Sequence, residues 1–166
     1  SEAPTIWRGP MVMKALEQMF NGVEWGELDY LIIDLPPGTG DAQLTLAQSS
    51  KLSGSIVIST PQDVALSDAR KGINMFKKVN VDILGIVENM SYFLCDNCNQ
   101  KHYIFSKGGV KKEAEDFKIP YLGDIPIDKN LRIQSDHGIP AIIDDPDSEI
   151  SKKFISIAKN LKNAHI

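Results

Sequence analysis

Asp29-Tyr30-Leu31-Ile32-Ile33-Asp34-Leu35-Pro36-Pro37-Gly38-Thr39-Gly40-Asp41 is the stretch on which the fold of this 166-residue chain turns. A continuous apolar run reads as a buried parallel strand, here expected over residues 29–34, and ligands of open α/β sheets gather beyond strand C-terminal ends. Asp34 then stands where a carboxylate can hold Mg²⁺, directly or through water, beside a nucleotide phosphate. Gly38 and Gly40 let backbone N–H groups approach an anion closely. The plain alternative is a strand followed by a Pro-Gly turn, with Asp34 serving only as a cap.

The phosphate reading needs a partner loop of the form G-x-x-x-x-G-K-[ST] between a strand and a helix. Nothing before Asp34 fits it, since the chain opens Ser1-Glu2-Ala3-Pro4-Thr5-Ile6-Trp7-Arg8-Gly9-Pro10. Ser106-Lys107-Gly108-Gly109-Val110-Lys111-Lys112 is the nearest lookalike. It lacks the glycine directly before lysine and the Ser/Thr that binds Mg²⁺, so it is not a phosphate loop.

With 42% hydrophobic and 24% charged residues, the chain suits one globular domain with a real core. A net charge of −4 and a pI near 5.3 argue against a nucleic-acid partner, which calls for a basic face. No apolar stretch reaches the ~20 residues of a membrane span, and no signal peptide opens the chain. Two cysteines in one short motif suit a reducing compartment, cytoplasmic or organelle matrix, better than a secreted disulfide framework. The start at Ser1 rather than Met leads us to expect a fragment or a processed product.

Working outward, Met11, Ala15, Leu16, Met19 and Phe20 recur at helical spacing and predict a helix over 10–21, with Pro10 in its first turn. A helix over Asp41–Gln48 follows the Gly-rich turn, with Asp41 as its candidate N-cap. Ser55–Ser59 reads as a second buried strand, ended by Thr60-Pro61. Helix 62–78 carries Val64, Ala65, Ala69, Ile73 and Phe76 as its apolar stripe, and Lys77-Lys78 suit its C-terminal dipole. Asp82–Asn89 is a third strand, a cysteine hairpin occupies about 90–105, and helix 109–117 ends before Ile119-Pro120. Tyr121–Pro126 is a short strand or extended loop, and Asp147-Ser148-Glu149-Ile150 opens a final helix. Strands alternating with helices imply βαβ units and a mostly parallel sheet flanked by helices, an α/β fold.

Cys95-Asp96-Asn97-Cys98 is C-x₂-C on a polar, turn-rich loop, a spacing that lets two thiolates converge on one metal centre. A tetrahedral zinc or an Fe–S cluster usually takes four protein ligands. The simplest completion is a two-fold dimer giving two cysteines per subunit to one shared centre. His102 adds a third candidate ligand, C-x₂-C-x₃-H, and leaves the set one short. A thioredoxin-like redox pair is a further reading, although that motif opens a helix and this segment reads as a hairpin. Two reduced surface thiols without a role is the bland one.

Trp7-Arg8-Gly9-Pro10-Met11, Tyr30 through Asp41, Thr60-Pro61-Gln62-Asp63-Val64-Ala65, Val87-Glu88-Asn89-Met90-Ser91, Cys95-x-x-Cys98 and Pro120–Pro126 occur in this order. Together they resemble the Mrp/Nbp35 (ApbC-type) family of P-loop ATPases that carry iron–sulfur clusters. The resemblance covers essentially the whole chain. The Asp-Leu-Pro-Pro-Gly-Thr-Gly-Asp and Glu-Asn-Met-Ser pieces are specific to that family even against its MinD and ParA relatives.

The resemblance implies a P-loop NTPase fold of the SIMIBI/MinD-like kind, as a single partial domain over 1–166 with the cysteine hairpin as an insertion. It implies that Asp34 is the Walker B aspartate near Mg²⁺ and Gly38 the switch glycine facing the γ-phosphate, the two residues of the ATPase chemistry. Asn89 would read the adenine edge through its amide, with a strand-end cap as its rival role, and the loop at Pro126-Ile127-Asp128 would lie over the base. Cys95 and Cys98, with their mates across a homodimer, would hold a bridging 4Fe–4S cluster for transfer to apo-proteins, with no nucleic acid or membrane partner. The family's Lys-Gly-Gly-x-Gly-Lys-[ST] loop is absent, so the chain is expected to be truncated at its N-terminus. It should then bind ATP poorly and be inactive as an ATPase by itself. Its sheet should lack the member between the Asp34 strand and Ser55–Ser59, so that those strands close the gap or are covered. The competing functions are a MinD/ParA-type positioning ATPase, which has no need of the cysteine pair, and a zinc-stapled structural domain.

Overall fold

Runs of branched apolar residues build the sheet. The computed structural model describes residues 9–35, 41–49 and 52–165. Its strands are β1 (Ser55–Ser59), β2 (Ile83–Leu94), β3 (Lys101–His102) and β4 (Tyr121–Ile127). β2 is central, parallel to β1 on one side and to β4 on the other, and β3 folds back antiparallel onto its end. The registers place Glu88 between Ser59 and Asp124, and Phe93 between His102 and Ile127. The helices are α1 (Gly9–Asn21), α2 (Asp41–Ser49), α3 (Asp63–Lys78), α4 (Gly109–Phe117), α5 (Lys129–Asp136), α6 (Ala141–Asp144) and α7 (Glu149–His165).

Successive residues of a strand face opposite sides, and here each side finds its own cover. Val57 and Ile86 face α3 and α4, packing with Leu66, Ala69, Ile73, Val110 and Ala114. Val87, Leu122 and Ile125 pack on the other face against Leu131, Ile157 and Leu161 of α5 and α7. α2 closes the end of α3, where Ala47 joins Met75, Phe76 and Val81. Helices on both faces of a parallel sheet account for the apolar character of β2 before Glu88.

The α/β reading therefore stands. Ser55–Ser59 and helix 109–117 agree with the sequence reading to the residue, and the strand expected to end at Asn89 continues to Leu94. That extension crosses an irregular register between Asn89 and Phe93, with Met90 at φ 55°. Buried Ser91 pins it by donating to the Ile125 carbonyl at 3.2 Å.

Two expectations are corrected. Residues 29–34 form no strand: the segment from 23 to 35 is irregular, with Ile32 88% exposed and Asp34 also exposed. A strand needs a neighbour for its N–H and C=O groups, and among the described residues β1 pairs only with β2. The gap is thus not closed by the Asp34 segment, and Ile58 on the uncovered face of β1 is 65% exposed. Nor do Pro126 and Ile127 form a loop. They end β4, where a proline is tolerated because among the described residues β4 pairs only with β2 and forms an edge. Asp128 then caps α5, its Oδ1 accepting from the Leu131 N–H at 2.7 Å. Gly38 and the rest of 36–40 lie outside the described residues.

Candidate metal centre

The hairpin leaves the body as the last residues of β2. Phe93 and Leu94 pair with His102 and Lys101, and the polar turn Asp96–Gln100 joins the two strands. Two backbone bonds close the turn, Cys95 N–H to the Gln100 carbonyl at 3.0 Å and Asn99 N–H to the Cys95 carbonyl at 2.8 Å. Asn99 takes the left-handed conformation, φ 54°, which asparagine tolerates better than most residues.

This geometry brings Cys95, Cys98 and His102 together: one ligand atom from each lies within 4.8 Å of the other two. Cys95 is half-buried and both cysteines are free thiols; Cys98 and His102 are exposed. The backbone N–H groups of Cys98 and Asn97 are directed at Cys95 Sγ and hold its thiol below the ordinary range, with the Cys98 side chain helping. Partial burial and the Asp96 carboxylate oppose that shift. Amides aimed at sulfur stabilise a thiolate, the form in which cysteine binds metal.

Aromatic and cationic side chains frame the hairpin. The Tyr92 and Tyr103 rings meet edge to face, 6.2 Å between centroids. Lys101 Nζ stands 4.3 Å from the Tyr92 centroid and Lys107 Nζ 5.0 Å from that of Tyr103. Tyr103, Ile104 and Phe105 are exposed beside the ligands.

Farther back on β2 lies the strand end expected to read a base. Asn89 is half-buried, and its Oδ1 accepts from the Met90 N–H at 3.0 Å. Asn89 pairs with Ile125, so Pro126 follows directly on the neighbouring strand and Asp128 lies just past its end. Asp34, by contrast, lies on an irregular exposed segment outside the sheet. The Thr60 hydroxyl, just past β1, is buried with no hydrogen-bond partner among the described residues.

One residue of this region was missed in the sequence. Glu88 is buried, and its Oε2 accepts from the Val110 N–H at 3.1 Å. Burial pushes its carboxyl above the ordinary range, the Val110 bond pulls it down, and nearby Asp124 pushes it up again. The available signal was a lone carboxylate directly after the apolar run Ile83–Val87. Arg70 of α3 forks onto Glu113 of α4, Nε to Oε2 at 2.9 Å and a terminal nitrogen to Oε1 at 2.6 Å.

A central parallel strand, the crossover helices α3 and α4 on one face, α5 and α7 on the other, and a candidate site beyond a strand's C-terminal end define a doubly covered α/β fold. The family model of the ParA/NUBPL iron-transfer P-loop NTPases matches residues 1–162, and the chain belongs to that family. It is 52% identical over 160 residues to the iron-sulfur cluster carrier protein of Aquifex aeolicus, covering 96% of this chain and 44% of that one. It is 47% identical over 159 residues to the iron-sulfur cluster transfer protein NUBPL of Mus musculus, covering 96% and 50%. The chain thus spans about half the length of the curated relatives it matches. Among solved structures, an Archaeoglobus fulgidus nucleotide-binding protein in complex with ADP, with cobalt found in it, aligns with a TM-score of 0.70. It is 43% identical, and the match covers 77% of this chain and 53% of that one. The cell division ATPase MinD of Pyrococcus furiosus aligns at 0.66 over 92% and 57% with 22% identity, a likeness of fold alone.

Proposed function

We propose that this chain is the cluster-bearing portion of an iron–sulfur cluster carrier, a single partial P-loop NTPase domain whose cargo is held by Cys95 and Cys98. The observation that carries the reading is the convergence of these two thiols at the tip of a hairpin, in a family described by iron transfer. The cargo is a 4Fe–4S cluster. It bridges two copies of the chain, because two thiolates from each complete the usual four. Apo-proteins of iron–sulfur type are the recipients. The exposed tip suits hand-over, since thiolate exchange needs access for an incoming ligand.

Nucleotide enters this reading as the control of loading or release. Asn89, with Pro126 and Asp128 beside it, is the base-side candidate, and Asp34 and Gly38 are the Mg²⁺- and γ-phosphate-side candidates. ADP in the Archaeoglobus relative supports a nucleotide site in the complete protein. Asp34 reaches that role only when a neighbouring strand draws its segment into the sheet beside β1. No described helix is long and apolar enough to cross a membrane, and the net charge of −4 disfavours nucleic acid as a partner.

Anaerobic reconstitution with ferrous iron and sulfide tests the proposal. The expected product has broad visible cluster absorbance, about four irons per two chains, and donates its cluster to an apo-ferredoxin. Cys95→Ser and Cys98→Ser should abolish it. Tightly held zinc at one equivalent, not displaced by iron and sulfide, would replace the carrier reading with that of a metal-stapled domain.

A further inference from the structure

The proposed cluster uses two side chains of each hairpin, yet three converge. His102 sits on β3 opposite Phe93, and the antiparallel register carries its ring to the two thiols. We infer that Cys95, Cys98 and His102 of a single chain form a mononuclear site for one divalent transition-metal ion, with the fourth coordination position open. This goes beyond the cluster reading: it takes one ion rather than a cluster, one chain rather than two, and it gives His102 a task.

The donor set fits the ion. Two thiolates and one imidazole are the ligands that zinc and its neighbours in the first row select over calcium and magnesium. Around a tetrahedral ion with metal–sulfur bonds of about 2.3 Å and metal–nitrogen bonds of about 2.0 Å, these three donor atoms stand roughly 3.5–3.8 Å apart. The three donors begin within 4.8 Å of one another. The remaining ångström or so lies within the reach of small rotations, and Cys98 and His102 are free to make them because they are exposed. The turn is already built around the pair, with the Asn97 and Cys98 amides directed at Cys95 Sγ and the Cys95 backbone bonded to Gln100 and Asn99.

Binding exchanges two S–H bonds for two metal–sulfur bonds, and both protons pass to solvent; nothing is oxidised or reduced. Three protein ligands with an open fourth position is the arrangement of zinc sites that take water or a substrate, whereas structural sites are closed by a fourth side chain. Water or a donor from another protein fills that position. Two thiolates from a second hairpin would displace the imidazole, so the mononuclear site and the bridging cluster exclude one another.

The test is an anaerobic titration of the reduced chain with Co(II) alone. Visible absorption reads tetrahedral thiolate–imidazole coordination, and native mass spectrometry reads stoichiometry. The expected result is one cobalt per single chain, an affinity at least tenfold lower in His102→Ala, and loss of the thiolate–cobalt bands in Cys98→Ser. His102→Gln, which keeps a polar side chain of similar reach, should bind as weakly as His102→Ala, with far-UV circular dichroism unchanged in both. One cobalt per two chains, or His102→Ala titrating like the parent, would overturn the inference. Iron and sulfide reconstitution of the same variants separates the two proposals. A cluster that needs the cysteines, beside cobalt binding indifferent to His102, leaves the carrier reading standing and removes this one. Histidine-dependent cobalt binding with no cluster does the reverse.

Discussion

The Glu88 carboxylate accepts the Val110 backbone N–H at 3.1 Å, so the strand that carries Asn89 is tied to the first turn of the helix that follows the cysteine hairpin. A carboxylate at a helix N-terminus satisfies a donor that the helix itself leaves free. Both ends of the hairpin are thereby anchored to one residue's neighbourhood on β2.

Removing that anchor has a calculable direction. Glu88→Ala leaves the buried Val110 N–H without its acceptor and should cost about 1–3 kcal/mol in urea unfolding. Glu88→Gln keeps an acceptor oxygen and should cost much less. Because burial raises the Glu88 carboxyl, the folded chain holds its proton more tightly than the unfolded chain does. Its contribution to stability is therefore full below the ordinary carboxylate range and is lost as pH rises through the elevated value. The glutamine variant should lack that loss, which unfolding at pH 5 and pH 8 will read.

Glu113 works with the opposite sign. The hydrogen bonds from Arg70 hold its carboxyl below the ordinary range, against its own burial. Its contribution is present above the unfolded carboxylate value and disappears as pH falls through the folded one. Glu113→Gln should flatten the acid limb of the stability profile, and Arg70→Ala should lower the urea midpoint at pH 7 more than at pH 3.

Gly85 lies on the central strand where α7 and β4 crowd the sheet. A Cβ at this position would overlap the Leu122 side chain, which is itself buried. Gly85→Ala should cost about 1–3 kcal/mol by overpacking, and Gly85→Ala with Leu122→Val should recover part of it. Chemical denaturation of the three chains measures the coupling.

Alkylation should distinguish the two thiols. Cys95 is the less exposed, yet the Cys98 and Asn97 amides enrich its thiolate at neutral pH. Peptide mapping after brief iodoacetamide treatment should find Cys95 modified several-fold faster at pH 7. The ratio should narrow at higher pH, as the thiolate advantage of Cys95 is lost.

Nucleotide binding supplies the last expectation. Between Ser1 and Ile166 no G-x-x-x-x-G-K-[ST] loop occurs, so neither the lysine for the β/γ-phosphates nor the Mg²⁺-binding hydroxyl is available. Calorimetry with ATP at millimolar Mg²⁺ should detect no micromolar binding to this chain, and heat consistent with such binding would refute that.

The sequence made the parallel strands β1 and β2 and the C-x₂-C turn readable, because each carries its cause locally, although β1 turned out covered on one face only. Ser55–Ser59 is apolar and bounded by turn residues, and the cysteines sit among Asp96, Asn97 and Asn99. Residues 29–34 have the same local character and still form no strand, because pairing depends on a neighbour that composition does not report. Asp128 could have been found: Asp followed by Lys129-Asn130-Leu131 is an N-cap pattern, obscured by the expectation of a loop over a base. The nearness of His102 to the thiols was only half legible. Its spacing suggested a ligand, but the Phe93–His102 register is what brings it there.

β3 is two residues long, and beyond the Phe93–His102 pair the hairpin rests on a handful of backbone bonds in open solvent. Opening such a segment exposes almost no apolar core, so its amides should exchange long before those of Val87 or Ile86. The ligand tip can then unfasten and refasten on its own, at a cost the rest of the molecule never registers. In the proposed carrier, whose cargo has to be let go, the frailest part of the molecule would also be its working end.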